Sequence, residues 1–290
     1  MTLSEYLRAA SVEHWAVPHI NVSNFLQLQA IAEAARELSA PIMIGTSESE
    51  ADFFGEALTT PLVRSVAETY HVPLFLNADH YHSVERARGA IDHGYRSLAI
   101  DLSKLSYDEN VAGVKEVVIM SKLIGEHVSV EGEIGSIVTD SSKIYNEVIE
   151  VPEKTLTTPE EAQSFIEATG VHRLAIAVGE HHGIAANKKK IDNKRIANIR
   201  AAVPEDICLV LHGGSGLSDK QFTDAIAAGI SNIHVSTNVR VIYRSALERS
   251  LKEHPDEVAS YKYEKSVRDA VKEEVAHIIT VFGASGRAVL

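Results

Sequence analysis

Short, densely apolar segments alternate along the chain with longer segments in which apolar residues recur at helical spacing. Short apolar runs are typical of parallel β-strands covered on both faces, and the longer pattern is typical of helices packed on one side. The predicted strands are Trp15–Val22, Pro41–Gly45, Pro73–Asn77, Ser97–Ile100, Val128–Gly132, Leu174–Val178, Cys208–Leu211 and Ile230–Val235. The predicted helices between and after them are Leu26–Leu38, Pro61–Tyr70, Val84–His93, Asn110–Glu126, Pro159–Thr169, Asn193–Val203, Asp219–Ala228 and Arg240–Glu253.

Eight strand–helix units in succession predict an α/β protein of the TIM (β/α)8 barrel type, with residues 1–290 as one domain. An open, doubly wound sheet is the alternative. No dinucleotide-binding or Walker glycine pattern follows a predicted strand, which favours the barrel. After the eighth unit, Tyr263–Phe282 predicts an extra C-terminal helix within an extension covering residues 260–290.

Composition narrows the range of partners. The chain has 28 Lys+Arg against 40 Asp+Glu and a net charge of −12, whereas nucleic-acid binding needs a basic surface. No apolar run reaches the roughly 20 residues of a membrane span, and residues 1–10 lack a signal-peptide core. The single cysteine, Cys208, suits a reducing compartment. We therefore expect a cytoplasmic protein with no nucleic-acid or membrane partner.

Histidines stand directly after several predicted strands, where the loops of a barrel build its active site. His80, His182 and His212 follow the third, sixth and seventh strands. Three histidines from different strands, with a fourth position open, are typical of a catalytic zinc site, and imidazole also suits other transition metals such as cobalt or manganese. Each histidine alone could equally be a hydrogen-bonded loop residue, so the metal hypothesis depends on their convergence.

Carboxylates accompany these histidines. Asp79 precedes His80 and is predicted to transfer a proton at a substrate atom held by the metal, with orientation of a histidine as its alternative role. Glu131 and Glu133 alternate along the fifth strand and so share one face. One of them is a candidate for a residue that supports a metal ligand or for an alternate metal ligand, and the other for a structural part of the barrel interior.

Two loops have the character of a phosphate site. Residues 213–216 (Gly-Gly-Ser-Gly) and Ser236-Thr237-Asn238 each precede a helix at neighbouring strand ends, where exposed backbone N–H groups bind anions. Tight turns are the alternative interpretation. Lys188-Lys189-Lys190 is predicted to be a solvated surface run, with a position facing the active-site end of the barrel as the alternative, because its loop follows the sixth strand. An imine mechanism needs a buried lysine at a strand end, and none occurs within the predicted strands.

A metal, a carboxylate and a phosphate site together favour C–C bond chemistry on a sugar phosphate through a metal-stabilised enediolate.

The chain resembles the class II, metal-dependent fructose-bisphosphate aldolase family over nearly its whole length. The matching segments, in order, are Val17-Pro18-His19-Ile20-Asn21, Asn77-Ala78-Asp79-His80, Ile100-Asp101-Leu102-Ser103, Val130-Glu131-Gly132-Glu133-Ile134-Gly135, Gly179-Glu180-His181-His182-Gly183, Leu211-His212-Gly213-Gly214-Ser215-Gly216 and Phe282-Gly283-Ala284-Ser285-Gly286. The resemblance implies a TIM barrel with zinc on the three histidines and Glu133 at an alternate metal site. It also implies that Asp79 handles the proton of the C4 hydroxyl.

For the dihydroxyacetone-phosphate end, the resemblance implies a phosphate site at Gly183, Gly213, Ser215 and Thr237, often with a monovalent cation, Na⁺ or K⁺. The chain departs from the family in three places. Residues 136–143 replace a stretch that usually supplies a glutamate, for which Asp140, Glu147 and Glu150 are the candidate substitutes. His234 and Asn238 replace the asparagine and the acid that are usual at the eighth strand. His181, beside His182, leaves the ligand register ambiguous, and the glycine spacing favours His182.

The resulting prediction is a zinc aldolase that reversibly cleaves fructose 1,6-bisphosphate to dihydroxyacetone phosphate and glyceraldehyde 3-phosphate. Tagatose 1,6-bisphosphate or another ketose phosphate is the alternative substrate. A metal-dependent hydrolase and a non-catalytic sugar-phosphate sensor are the alternatives from other classes. Apolar positions along the C-terminal helix, at Val267, Val271, Val275 and Ile278, favour a homodimer or homotetramer. Packing of this stripe within its own chain is the other interpretation.

Overall fold

The structure, a computed structural model, describes residues 1–124, 127–139 and 142–289. Within these residues eight parallel strands pair in chain order, and the last pairs with the first to close a barrel. The strands are β1 (Val17–Asn21), β2 (Ile42–Ser47), β3 (Leu74–Tyr81), β4 (Ser97–Ile100), β5 (Ser129–Ile134), β6 (Arg173–Ile176), β7 (Cys208–Leu211) and β8 (Ile230–Val235). The predicted TIM barrel is confirmed.

Helices surround the barrel because each apolar helix face must be covered by the outer surface of the sheet. The helices are α1 (Leu3–Glu13), α2 (Phe25–Glu37), α3 (Glu48–Phe54), α4 (Glu56–Tyr70), α5 (Val84–Asp92), α6 (Tyr107–Leu123), α7 (Pro159–Thr169), α8 (Asn193–Ala202), α9 (Asp219–Ala228), α10 (Thr237–Glu253), α11 (Ser260–Tyr263) and α12 (Lys265–Val281), with a single 3₁₀ turn at Glu153–Thr155. Helices α1 and α3 were not predicted. Both begin with a capping box, a local signal in the sequence that the search for apolar runs overlooked. In the part of the chain that the structure describes, no helix is long and apolar enough to cross a bilayer.

Strands β3 and β5 continue beyond their predicted ends. β3 runs to Tyr81, so Asp79 and His80 lie within the strand instead of after it, and β5 runs to Ile134, so Glu133 lies inside the strand as its alternation with Glu131 requires. The pairing of β3 with β4 shifts register between Ala78 and Tyr81, and His80 has a φ of 50°. A left-handed backbone at a residue other than glycine is strained and is found preferentially at functional sites.

The barrel interior contains a buried cation. The guanidinium of Arg173, fully buried at the start of β6, donates to Asn77 Oδ1 at 3.0 Å and to Ser97 Oγ at 2.7 Å. Its Nη1 lies 3.0 Å from Glu131 Oε2. A buried charge requires such pairing because its desolvation is costly. Arg173 therefore holds the carboxylate of Glu131 in place from inside the barrel, at the start of β6.

The C-terminal extension packs on its own barrel. In place of one helix over Tyr263–Phe282, the chain forms the short α11 and the longer α12. The side chains of the apolar stripe, Val267, Val271, Val275 and Ile278, are buried, and α12 contacts α2 and α10 of the same chain. The interpretation of this stripe as a subunit contact is therefore wrong, and an oligomeric state has to be argued on other grounds.

Candidate metal centre and active site

The three histidines predicted to bind a metal meet at the carboxyl end of the barrel. His80 comes from β3, His182 from the loop after β6 and His212 from the residue after β7, and one ring nitrogen of each lies within 4.8 Å of the others. Nε2 of His80 lies 2.7 Å from Nδ1 of His212. Parallel strands bring their ends together in this way although His80 and His212 are 132 positions apart in the sequence.

Glu131 fixes the orientation of one of these rings. Its Oε1 lies 2.6 Å from Nε2 of His212, and this contact directs Nδ1 of the histidine toward His80. Burial opposes ionisation of Glu131, but Arg173 and His212 hold its pKa below the usual value. A carboxylate on the far nitrogen of a histidine is a common support for a metal ligand. Of the predicted Glu131–Glu133 pair, Glu131 is therefore the one placed to support a proposed metal ligand, through its contact with His212.

The structure brings His182 together with His80 and His212 as a group of possible metal ligands, in line with the predicted register. Among the described residues Nε2 of His182 has no hydrogen-bond partner, and burial, His80 and His212 hold its pKa well below the ordinary value, so its lone pair is available to a metal. Its backbone N–H donates to Val138 O at 3.1 Å, and its carbonyl accepts from Thr139 Oγ1 at 2.8 Å. His181 turns back, with Nδ1 3.1 Å from the His182 carbonyl.

A second group of possible ligands lies beside the first. Nδ1 of His80 is 3.6 Å from both Asp101 Oδ2 and Glu133 Oε2, and these three residues also meet within 4.8 Å. Burial, Asp101 and Glu131 raise the pKa of Glu133 well above its usual range. Burial also disfavours the charged form of His80, but Asp79, Asp101 and Glu133 raise its pKa to about 10. The surroundings thus favour positive charge at the position predicted for the alternate metal site.

These observations fit a divalent transition metal. The ring nitrogens of His80 and His212 converge, His182 Nε2 has no partner among the described residues, and carboxylates lie nearby. Three histidines with a supporting carboxylate suit zinc, and cobalt or manganese are compatible.

Asp79 lies next to this group without joining the three histidines. Its Oδ1 is 3.1 Å from Nδ1 of His234, and its Oδ2 accepts from Nδ2 of Asn21 at 2.9 Å. Burial opposes ionisation, but His80 and His234 hold its pKa well below the ordinary value. His19 stacks on His234 with ring centroids 3.5 Å apart. Asp79 is therefore an oriented, ionised carboxylate, which is the form needed to accept a proton.

Most residues of this supporting network were missed from the sequence. His19 and Asn21 belong to the family-like segment of β1, but no role was predicted for them. His234 was noted only as a departure from the family. The available signal was their shared placement at the ends of β1 and β8, which are paired neighbours in the barrel.

The predicted phosphate loops lie side by side. Ser215 Oγ accepts hydrogen bonds from the backbone N–H groups of Ser236 at 3.3 Å and Asn238 at 3.2 Å, which joins the loop after β7 to the start of α10. Gly213 has a φ of 59°, and an added Cβ would lie 2.7 Å from the His181 carbonyl. Only glycine fits there, so the loop of His182 and the loop of Ser215 can pack together.

The three residues after β8 face different groups. Among the described residues the buried Ser236 Oγ has no partner, whereas Thr237 Oγ1 accepts from the Ser142 N–H at 3.2 Å. Asn238 accepts from Gly216 N–H at 3.1 Å and donates to Glu274 of α12 at 3.3 Å. Asn238 thus joins the loop after β7 to α12, while the hydroxyl of Ser236 remains available to a ligand.

A cavity of about 620 Å³ opens beside the histidines. Its lining includes Asp79, His80, Asp101, Glu133 and His182, together with Glu48, Glu50, Ser136, Thr139, Ser142 and Arg240 from the surrounding loops. Glu147 and Glu150 are exposed and do not line it. Asp140, the third candidate for the missing loop glutamate, lies outside the described residues.

One lysine of the Lys188–Lys190 run is not solvated as predicted. Lys188 and Lys190 are exposed, but Lys189 is 5% exposed. Its Nζ donates to the carbonyls of Gly213 at 2.6 Å and Ser215 at 2.5 Å. It does not line the cavity that holds Asp79. The run itself gave no signal of this, because three identical residues differ only in where the loop places them.

Comparison with known proteins identifies the family of the chain. A model of the class II fructose-bisphosphate aldolase family matches residues 1–287. The YdjI aldolase from Escherichia coli K12 is similar at 30% identity and a TM-score of 0.84, covering 99% of both chains. The fructose-bisphosphate aldolase of Campylobacter jejuni has 20% identity and a TM-score of 0.79, covering 98% of this chain and 94% of its own, and supports the fold alone.

Proposed function

The chain belongs to the class II fructose-bisphosphate aldolase family and is an aldolase, a carbon–carbon lyase; from this premise we propose that it reversibly cleaves fructose 1,6-bisphosphate. The products are dihydroxyacetone phosphate and glyceraldehyde 3-phosphate. The observation that carries the proposal is the placement of ionised Asp79 beside three converging histidines, next to the two loops joined through Ser215. A ketose phosphate spans such a site, with its phosphate at the loops and its reacting carbons at the histidines.

His80, His182 and His212 would hold zinc, or cobalt or manganese in its place. When bound, the ion polarises the carbonyl and hydroxyl oxygens of the substrate. Asp79 accepts the proton of the C4 hydroxyl while the C3–C4 bond breaks. C4 becomes the aldehyde carbon, and the electron pair of the broken bond remains at C3. His234 and Asn21 keep the Asp79 carboxylate in place through hydrogen bonds to its two oxygens.

The loops after β7 and β8 would bind the phosphate of the dihydroxyacetone end. Ser236 Oγ is buried without a partner among the described residues and is an available donor, and Gly183 and Gly213, both with positive φ, let the backbone approach the anion. Thr237 begins α10, where the helix N-terminus favours negative charge. The alternative substrate, tagatose 1,6-bisphosphate, differs at the hydroxyl that Asp79 would deprotonate.

The test is an assay of the purified protein with fructose 1,6-bisphosphate and tagatose 1,6-bisphosphate, each with and without a chelator. Dihydroxyacetone phosphate should form from the fructose substrate and should cease to form in chelator. Release of inorganic phosphate without C–C cleavage would identify a hydrolase instead. Tight substrate binding without any product would identify a sugar-phosphate sensor. Faster cleavage of the tagatose substrate would change the assigned sugar but retain the aldolase.

A further inference from the structure

A buried ammonium group lies beneath the loop after β7. Lys189 places its Nζ between the carbonyl oxygens of Gly213 and Ser215, at 2.6 Å and 2.5 Å. The backbone of the lysine is itself held, since its carbonyl accepts from Gln221 Nε2 of α9 at 2.8 Å. The side chain is thus fixed at both ends, and the loop is bound through two alternate peptide groups.

Lys189 binds one side of the loop after β7. The loop carbonyls of Gly213 and Ser215 point toward the ammonium of Lys189. On the other side, Ser215 Oγ accepts from the N–H groups of Ser236 and Asn238. Among the described residues, none accepts a hydrogen bond from the backbone N–H of Ser215. The ammonium therefore holds the loop in a form in which that N–H, close to the unpartnered hydroxyl of Ser236, remains available to an anion.

The buried ammonium of Lys189 needs groups that stabilise its charge, because burial of an ammonium is costly. In the described part of the chain no carboxylate lies within ion-pair distance of Lys189 Nζ, although Glu180 is near enough to favour its charge. Burial lowers the pKa of Lys189 to about 8, which still leaves the charged form in excess at neutral pH. Carbonyl oxygens around a small, largely dehydrated monovalent cation are the coordination found for potassium in proteins. A bound phosphate next to the loop would supply the missing negative charge.

We infer that Lys189 is a tethered cation of the phosphate loop, whose ammonium holds residues 213–215 in the phosphate-binding form and takes the place of a free Na⁺ or K⁺. This inference rests on the proposed function for the identity of the anion. It replaces the monovalent cation implied by the family resemblance with a side chain of this protein. Lys189 is a positioning residue, because it acts on the substrate through the loop.

The first test needs no substitution. The unaltered enzyme, assayed at constant ionic strength, should show the same kcat and KM in salts of Na⁺, K⁺ or tetramethylammonium. An activation of several-fold by K⁺ over tetramethylammonium would overturn the inference, because a tethered cation leaves no need for a free one.

The second test removes the charge. Lys189→Met should raise KM for the ketose bisphosphate about tenfold to a hundredfold, as expected for loss of charge-assisted hydrogen bonds, with a smaller effect on kcat. K⁺ or NH₄⁺ should recover part of this loss by entering between the carbonyls, and tetramethylammonium, which is too large, should not. Lys188→Met and Lys190→Met are matched controls in the same run, and both should resemble the unaltered enzyme.

Lys189→Gln separates charge from hydrogen bonding, because its amide can donate to the same carbonyls without a charge. If Lys189→Gln behaves like the unaltered enzyme, or if Lys189→Met keeps its KM, the inference is wrong. Binding of inorganic phosphate and dihydroxyacetone phosphate, measured by calorimetry on the metal-loaded variants, gives a readout that does not depend on turnover. An absence of aldol cleavage in the unaltered protein would contradict the proposed function, whereas equal phosphate binding by the unaltered protein and Lys189→Met would contradict the role of Lys189.

Discussion

Oε1 of Glu131 lies 2.6 Å from Nε2 of His212, while Oε2 of the same carboxylate lies 3.0 Å from Nη1 of Arg173. The orientation of one proposed metal ligand is therefore set by an ion pair inside the barrel. The nitrogen of His212 that remains, Nδ1, is the one that approaches His80. Affinity for a metal should consequently depend on residues that never touch it.

Glu131→Gln is expected to lower metal affinity about tenfold to a hundredfold, the usual effect of losing a carboxylate that orients a histidine ligand. Competition against a chromophoric chelator measures this directly. Glu133→Gln is the comparison, since Glu133 makes no contact with His212 and lies 3.6 Å from His80; a smaller loss is expected. Equal affinity in Glu131→Gln and the unaltered protein would show that Arg173 and packing suffice to orient the ring.

Metal removal should abolish turnover, and zinc, cobalt or manganese should restore it. His182→Ala should lose bound metal and activity together, because it removes one of three ligands. His181→Ala is the matched control at the adjacent position, where Nδ1 is engaged by the His182 carbonyl, and should retain its metal. Elemental analysis of both variants decides the matter. Metal loss from His181→Ala but not from His182→Ala would reverse the register.

Asp79→Asn should retain its metal yet lose about a hundredfold to ten-thousandfold in turnover, the usual contribution of a positioned acid or base. The amide preserves size but cannot take the proton of the C4 hydroxyl. Metal content and kcat are measured on the same preparation. Near-normal turnover, or a metal content as low as that of His182→Ala, would assign Asp79 a different role.

The barrel was predictable because its strands must be apolar on both faces, and this requirement is visible in each segment separately. The polar interior is a different case. Arg173 contacts Asn77, Ser97 and Glu131, which come from three other strands, and no local pattern reveals such a meeting. The metal histidines could be predicted because the strand ends of any barrel converge. A residue directly after a strand is therefore expected at the active-site end.

Lys189 shows the limit of that approach. It stands in one run with the exposed Lys188 and Lys190, and the loop alone determines which of the three turns inward. The missing glutamate is a similar problem. Glu147 and Glu150 had a suitable charge and a suitable distance along the chain, but both side chains are exposed, and the carbonyl of Glu147 accepts from the Ala186 N–H in the loop that carries His182.

The stability of the fold should depend on pH through His172. Burial and the neighbouring His127 lower its pKa to about 4, and its Nδ1 accepts the N–H of Val130 at 3.1 Å. An unfolded histidine titrates near 6.5. Below that pH the unfolded chain takes up a proton that the folded chain refuses, so the stabilisation present above pH 6.5 is lost as the pH falls toward 4.

Between pH 7.5 and 5.5, the free energy of unfolding should therefore fall by about 1 kcal/mol more in the unaltered protein than in His172→Asn. Urea unfolding at the two pH values, followed by circular dichroism, measures the difference. A parallel loss of stability in both proteins would exclude His172 as the source.

The family resemblance predicts a homodimer or homotetramer, although the apolar stripe of α12 is covered within its own chain. Light scattering at micromolar concentration should give a mass of two or four chains. A monomeric mass would contradict this prediction without affecting the assignment of the active site.

The loop that follows β5 is bonded to the loop that carries His182. Val138 accepts the N–H of His182, Thr139 Oγ1 donates to its carbonyl, and further along Ile184 donates to Lys143. The segment that lines the cavity therefore cannot lift away without breaking the hydrogen bonds that hold a proposed ligand. The hydrogen bonds that limit movement of this loop during product release are the same ones that hold His182 in place. A change that loosens the loop to speed turnover would therefore also weaken metal binding.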